Sequence, residues 1–120
     1  MLFRSIISGG NNSGVRIRLE NLGIKEIHLS APDKVITFNE YLEKYDLKAE
    51  NVLYMGDDIP DYHVMKLVGL STCPQDAVPE IKAISGYISH INGGRGAVRD
   101  VIEQVMKVQG KWHLYYNGQF

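Results

Sequence analysis

The run Val52-Leu53-Tyr54-Met55 is apolar throughout, stops at Gly56, and is followed at once by Asp57, Asp58 and Asp61. A short strand with no polar face must be covered on both sides, as in parallel sheets with helices above and below. The flanking segments repeat this pattern. Ile6-Ile7 predicts the end of a short buried strand leading into the turn Ser8-Gly9-Gly10-Asn11-Asn12. A helix is expected next on Val15, Leu19 and Leu22, stopped by Gly23, and a second strand over 24–29. Pro32 suits a first helical position, and Phe38, Tyr41, Leu42 and Tyr45 make the next apolar stripe.

Beyond the acidic turn, Pro60 can open a helix carrying Val64, Met65, Leu67 and Val68, closed by Gly69. A strand over 70–73, a helix over 79–84, a short strand at Tyr87-Ile88 and an amphipathic helix on Val98, Val101, Ile102, Val105 and Met106 follow. Strands alternating with helices imply βαβ units and an α/β domain built on a parallel sheet. That domain is expected over 1–109, with an aromatic tail over 110–120. Trp112, Leu114, Tyr115, Tyr116 and Phe120 give the tail more apolar surface than so short a segment buries alone. It either folds over its own domain or frays, or docks on a neighbouring subunit.

Bulk composition excludes several classes. Of the 120 residues 44% are hydrophobic and 22% charged, an ordinary globular balance. Thirteen basic against fourteen acidic residues leave no positive field for a nucleic-acid backbone, so an anionic ligand needs a local site. Cys73 is the single cysteine, which makes a reducing compartment, the cytoplasm, the expectation. No apolar run approaches the length of a membrane span. His28, His63, His90 and His113 show no paired zinc spacing and read as structural or surface residues.

Ligands of parallel α/β sheets bind at the carboxyl ends of strands, which is where Asp57, Asp58 and Asp61 fall. Three carboxylates in five positions repel one another unless a cation compensates. Hard oxygen donors at this spacing suit Mg²⁺, which takes one or two carboxylates together with waters and phosphate. One Asp alone would be accounted for as a helix N-cap. Ser8-Gly9, after the first strand, offers a hydroxyl and backbone N–H groups to a phosphate oxygen. Lys34, at a helix start after the second strand, is either a solvated lysine or a neutralising charge for phosphate and the acidic turn. The Gly93 to Arg99 segment opens the last helix, where N–H groups can meet an anion, although a flexible joint explains it equally well. A receiver-type signalling domain would need an acidic pair after the first strand, and 8–12 contains none.

The order Ser8, Lys34, Gly56-Asp57-Asp58-x-x-Asp61 resembles the second, third and fourth motifs of haloacid dehalogenase-type phosphatases. Ile7-Ser8-Gly9, Asp33-Lys34, Val64-Met65, Val68-Gly69-Leu70-Ser71 and Gly93-Gly94-Arg95-Gly96-Ala97-Val98-Arg99 narrow the likeness to the branch acting on 3-deoxy-D-manno-octulosonate 8-phosphate. The resemblance covers about Ile6 to Trp112. It implies a three-layer α/β/α Rossmann-like fold and a cytoplasmic, Mg²⁺-dependent homotetramer working in lipopolysaccharide synthesis, with a nine-carbon keto-sugar acid phosphate as alternative substrate. Carried over by position, Ser8 and Gly9 would hold the transferring phosphoryl group and Lys34 would stabilise its charge. Arg18 would bind substrate and Asp57 would coordinate Mg²⁺. Asp58 and Asp61 would hold the ion's waters or pair with Lys34.

Two departures accompany the likeness. The family's first, central strand carries an Asp-x-Asp whose carboxylates act as nucleophile and as general acid and base, and no Asp-x-Asp occurs in these 120 residues. The expectation is therefore a chain that begins within the family's second strand, is a piece of a longer protein, and is inactive by itself. The family's Ile-Thr-Gly-Arg also reads Ile7-Ser8-Gly9-Gly10 here, which removes an arginine that usually helps bind substrate. A non-catalytic relative kept for binding or oligomer assembly is the rival reading.

Overall fold

The computed structural model describes the backbone at 5–7 and 26–28, and backbone and side chains over 33–112. The chain divides into two compact units at residues 47 and 48.

In the first unit, strands β1 (Ser5–Ile7) and β2 (Glu26–His28) pair in parallel, with Ser5 opposite Glu26 and Ile7 opposite His28. β1 ends at Ile7, where the strand end was predicted, and β2 falls inside the predicted strand over 24–29. Helix α1 (Lys34–Lys44) follows. Its N-cap is Asp33, whose Oδ1 accepts from the N–H groups of Val35 at 2.9 Å and Ile36 at 3.4 Å. That carboxylate fixes the helix start at Lys34, two residues beyond Pro32, because a capping side chain has to stand outside the helix it caps. Phe38 is the buried member of the predicted stripe, and Lys44 in the last turn complements the helix dipole. The helix expected on Val15, Leu19 and Leu22 lies outside the described residues.

In the second unit, β3 (Leu53–Met55), β4 (Leu70–Cys73) and β5 (Tyr87–Ile88) form a parallel sheet in that order. The register sets Tyr54 beside Ser71, Met55 beside Thr72, and Thr72 beside Tyr87. Alternation then puts Tyr54, Ser71 and Cys73 on one face and Leu53, Met55, Leu70, Thr72 and Tyr87 on the other. Against the first face pack α2 (Tyr62–Met65) and α3 (Pro79–Ile84). The core there is Met65, Cys73, Ala77 and Ile81, bordered by Tyr54, Tyr62, Val78 and Ile84. Helix α4 (Ala97–Val108) meets the second face, where the Tyr87 hydroxyl donates to Asp100 at 2.8 Å. Helices on both faces of a parallel sheet make this unit three-layered, as expected.

Three details depart from the sequence reading. The helix expected from Pro60 to Val68 is a 3₁₀ turn (Ile59–Asp61) followed by the single turn of α2. It stops early because Gly69 donates to the Ala49 carbonyl at 3.0 Å and passes so close to Glu50 that a Cβ there would strike the Glu50 carbonyl. Leu67 is consequently outside any helix and exposed. Second, β3 is not covered on both sides along its length. Leu53 is 38% exposed, on the face where α4 is anchored near β5. Third, of the stripe predicted for α4, Val101 and Met106 are buried while Val98 is 60% exposed. No helix among the described residues is long and apolar enough to cross a membrane.

Candidate metal and phosphate site

The backbone leaving β3 is held at successive atoms. Gly56 N–H donates to the Thr72 carbonyl at 3.1 Å, continuing the β3–β4 pairing one residue past the strand. The Asp57 carbonyl accepts from Val78 N–H at 3.1 Å, which ties the turn to the start of α3. Asp61 then folds back beneath the turn. Its Oδ2 accepts from the N–H groups of Asp57 at 3.0 Å and Asp58 at 3.3 Å, and its Oδ1 accepts from the Tyr54 hydroxyl at 2.7 Å.

Asp61 is only 4% exposed, and a carboxylate so buried is costly without donors. Two amides and a phenol supply them, and hydrogen bonds to an ionised acceptor are among the stronger kind. The arrangement also explains Gly56. A Cβ at that position would sit 2.5 Å from Asp61 Cβ and 2.6 Å from its Cγ. Burial first, and then the Asp61 carboxylate it donates to, hold the Tyr54 phenol far above its ordinary pKa, with Asp57 adding to the effect. Tyr54 is thereby kept a hydrogen-bond donor.

Asp58 caps the 3₁₀ turn, its Oδ1 accepting from Ile59 N–H at 2.8 Å, and with Asp61 it forms a capping box. Asp57 differs from both. Its N–H and carbonyl are committed, its side chain is exposed, and among the described residues its carboxylate has no hydrogen-bond partner. The three acidic residues therefore divide their work, with Asp61 bracing the turn, Asp58 capping it, and Asp57 leaving an exposed carboxylate uncommitted among the described residues, just past the carboxyl end of β3.

Among the described residues no group of three or more His, Cys, Asp or Glu side chains is arranged to hold a metal ion. A single exposed carboxylate still suits Mg²⁺, which keeps several waters and shares its remaining positions with substrate phosphate. Lys34 is where the sequence put it, the first residue of α1, within the first unit. Ser8, Gly9, Gly10 and Arg18 lie outside the described residues.

A family match over residues 10–102 has the description haloacid dehalogenase-like hydrolase. The chain belongs to the haloacid dehalogenase-like hydrolases. Within that family it is 42% identical over 107 residues to the 3-deoxy-D-manno-octulosonate 8-phosphate phosphatase KdsC of Salmonella typhi, covering 89% of this chain and 57% of that one. The chain thus spans somewhat over half the length of such relatives. Among solved structures, the same phosphatase from Yersinia pestis superposes with a TM-score of 0.88 at 36% identity, over 91% of this chain and 59% of that one. The Moraxella catarrhalis phosphatase, in complex with magnesium ion, phosphate ion and KDO, superposes with a TM-score of 0.89 at 29% identity. It is matched over 95% of this chain and 66% of that one.

Two residues of this haloacid dehalogenase-like chain escaped the sequence reading. Tyr54 was legible only as an apolar strand residue, although a tyrosine two positions before a buried glycine carries a hydroxyl that needs a partner. Asp100 is the other. It is buried in α4 and accepts from Tyr87, from Ser89 Oγ at 2.7 Å and from Gln104 at 3.5 Å, with His90 Nδ1 3.7 Å away. Burial acts to raise its carboxyl pKa, but the hydrogen bonds from Ser89, Tyr87 and Gln104 and the nearby His90 outweigh it, so the net shift is downward. Its signal was an acid placed on the apolar face of a helix, between Ala97 and Val101.

Proposed function

We propose that this chain carries the Mg²⁺- and phosphate-holding portion of a phosphatase acting on 3-deoxy-D-manno-octulosonate 8-phosphate. The observation that carries the reading is the pinned turn after β3, in which Asp57 is exposed and its carboxylate has no hydrogen-bond partner among the described residues. Sequence likeness to phosphatases of that substrate, and to one crystallised with magnesium, phosphate and KDO, supports the substrate class.

In this reading Asp57 would ligate the ion directly, with Asp58 positioned to receive hydrogen bonds from its waters. Bound Mg²⁺ would supply charge neutralisation to the transferring phosphoryl group. The Ser8 hydroxyl and Gly9 N–H would donate to phosphoryl oxygens, Lys34 would offset their charge, and Arg18 would engage the sugar acid. Attack on phosphorus needs a further carboxylate pair, and the sequence contains no Asp-x-Asp to supply it. The chain alone is therefore expected to bind without turning over. The whole protein is proposed to be a cytoplasmic homotetramer serving lipopolysaccharide synthesis, with the segment from 110 as a tail distinct from the domain over 1–109. Light scattering on the whole protein tests the assembly.

Because a ligand that binds only the native state stabilises it, Mg²⁺ tests the site without requiring activity. At about one hundred times its Kd the ion should add about 2.7 kcal/mol. Thermal unfolding with and without Mg²⁺ should show this gain in the parent chain and none in Asp57→Asn. Equal gains in both would remove the ion from Asp57. The missing Asp-x-Asp also favours a second reading, a non-catalytic binding or assembly module. Phosphate release by the chain, lost in Asp57→Ala, would refute both that module and the expected inactivity.

A further inference from the structure

Resting on the proposed Mg²⁺ site, we infer that Tyr54 is its positioning residue, setting the aim of Asp57 through Asp61. The chain of contacts is continuous. The Tyr54 hydroxyl donates to Asp61 Oδ1 at 2.7 Å, and the opposite oxygen of the same carboxylate receives the N–H groups of Asp57 and Asp58. A carboxylate is planar and rigid, so fixing one oxygen fixes the direction of the other. Tyr54 is itself held by its ring, which borders the Met65–Cys73–Ala77–Ile81 core, while the Thr72 Oγ1 bond to its carbonyl at 2.9 Å belongs to the β3–β4 backbone and does not touch the ring.

The phenol has no part in ligating an ion. It stands on the face of β3 turned towards α2 and α3, and its hydroxyl is spent on Asp61. Its effect on a metal is indirect. Without that hydroxyl, Asp61 loses a donor and gains freedom to rotate about its side-chain torsions. The Asp57 N–H then loses its fixed acceptor, and the turn presents Asp57 over a wider range of directions. Outer partners that orient a metal ligand typically govern 10–100-fold in affinity. Acting through one further residue, Tyr54 should fall near the lower end, about tenfold.

The test uses the full 120-residue chain, ¹⁵N-labelled, with Mn²⁺ as a paramagnetic probe for the Mg²⁺ site. Broadening of the Asp57 and Asp58 amide signals gives the Kd, and hydrogen exchange of the same two amides reports the bracing directly. Tyr54→Phe keeps the ring and removes only the hydroxyl. It is expected to weaken Mn²⁺ about tenfold and to speed exchange at Asp57 and Asp58 while leaving β4 amides unchanged. Thr72→Val serves as the structural control. It breaks the bond to the Tyr54 carbonyl and lowers stability but should leave Mn²⁺ affinity within about twofold. An unchanged Kd in Tyr54→Phe would overturn the inference, as would equal weakening in both variants, which would make Tyr54 a merely structural residue. Broadening that survives Asp57→Asn would overturn the Mg²⁺ reading itself. The exchange data would then still show whether Tyr54 braces the turn, so the two failures are separable.

Discussion

At the scale of single residues, steric and electrostatic demands meet in the few ångströms around Gly56. Asp61 occupies the space a Cβ would need, so Gly56→Ala must displace that side chain or shift the strand. Overpacking of this kind costs about 1–3 kcal/mol. Urea unfolding should show a loss in that range, together with weakened Mg²⁺ stabilisation, since the brace beneath Asp57 is moved. Asp100 makes a prediction in pH. Its carboxyl pKa is lowered in the folded chain relative to the unfolded one, where an Asp titrates near about 3.9. A depressed folded-state pKa means the native state holds its proton less tightly. The stabilisation is therefore complete above the unfolded value and lost as pH falls through the folded one. Urea midpoints measured from neutral pH downward should fall below about pH 4, and Asp100→Asn should flatten that decline. A decline of the same size in the variant would assign the acid sensitivity to other carboxylates.

Elements show more clearly which parts of the fold were legible and which were not. The strand over 70–73, the helix over 79–84 and the strand at Tyr87-Ile88 are found where turn residues and apolar runs put them. Their limits are local: Pro79 starts α3, and Ser85-Gly86 lies between it and β5. The helix beginning at Pro60 was misjudged because its end is set by a distant partner, the close passage of Gly69 over Glu50, which no local pattern encodes. Similarly, the acidic cluster was legible as carboxylates gathered at the end of a strand, but the division of labour within it was not. Whether an Asp is left exposed or folds back on the amides of the turn, as Asp61 does on those of Asp57 and Asp58, involves a tyrosine in the preceding strand and a glycine that leaves room. Ile81 gives this scale its stability test. It is fully buried in the Met65–Cys73–Ala77–Ile81 core, so Ile81→Ala should cost about 2–5 kcal/mol by chemical denaturation. A loss below about 1 kcal/mol would show that α3 does not pack on the sheet as described.

For the whole molecule, membership of the haloacid dehalogenase-like hydrolases and the three-layered second unit agree with the sequence resemblance. Part of the resemblance's chemistry falls on residues 8, 9 and 18, outside the described region, and the rest on Lys34 and the acidic turn. In the function proposed above, this chain binds a sugar-acid phosphate through Mg²⁺ at Asp57 and does not cleave it. The most direct measurement is a ³¹P NMR titration of 3-deoxy-D-manno-octulosonate 8-phosphate with the chain, in the presence and absence of Mg²⁺. The phosphate-ester signal should broaden only when Mg²⁺ is present, stay sharp with Asp57→Asn, and yield no inorganic phosphate over time. Broadening that ignores both Mg²⁺ and Asp57, or a growing inorganic phosphate signal, would contradict the proposed function.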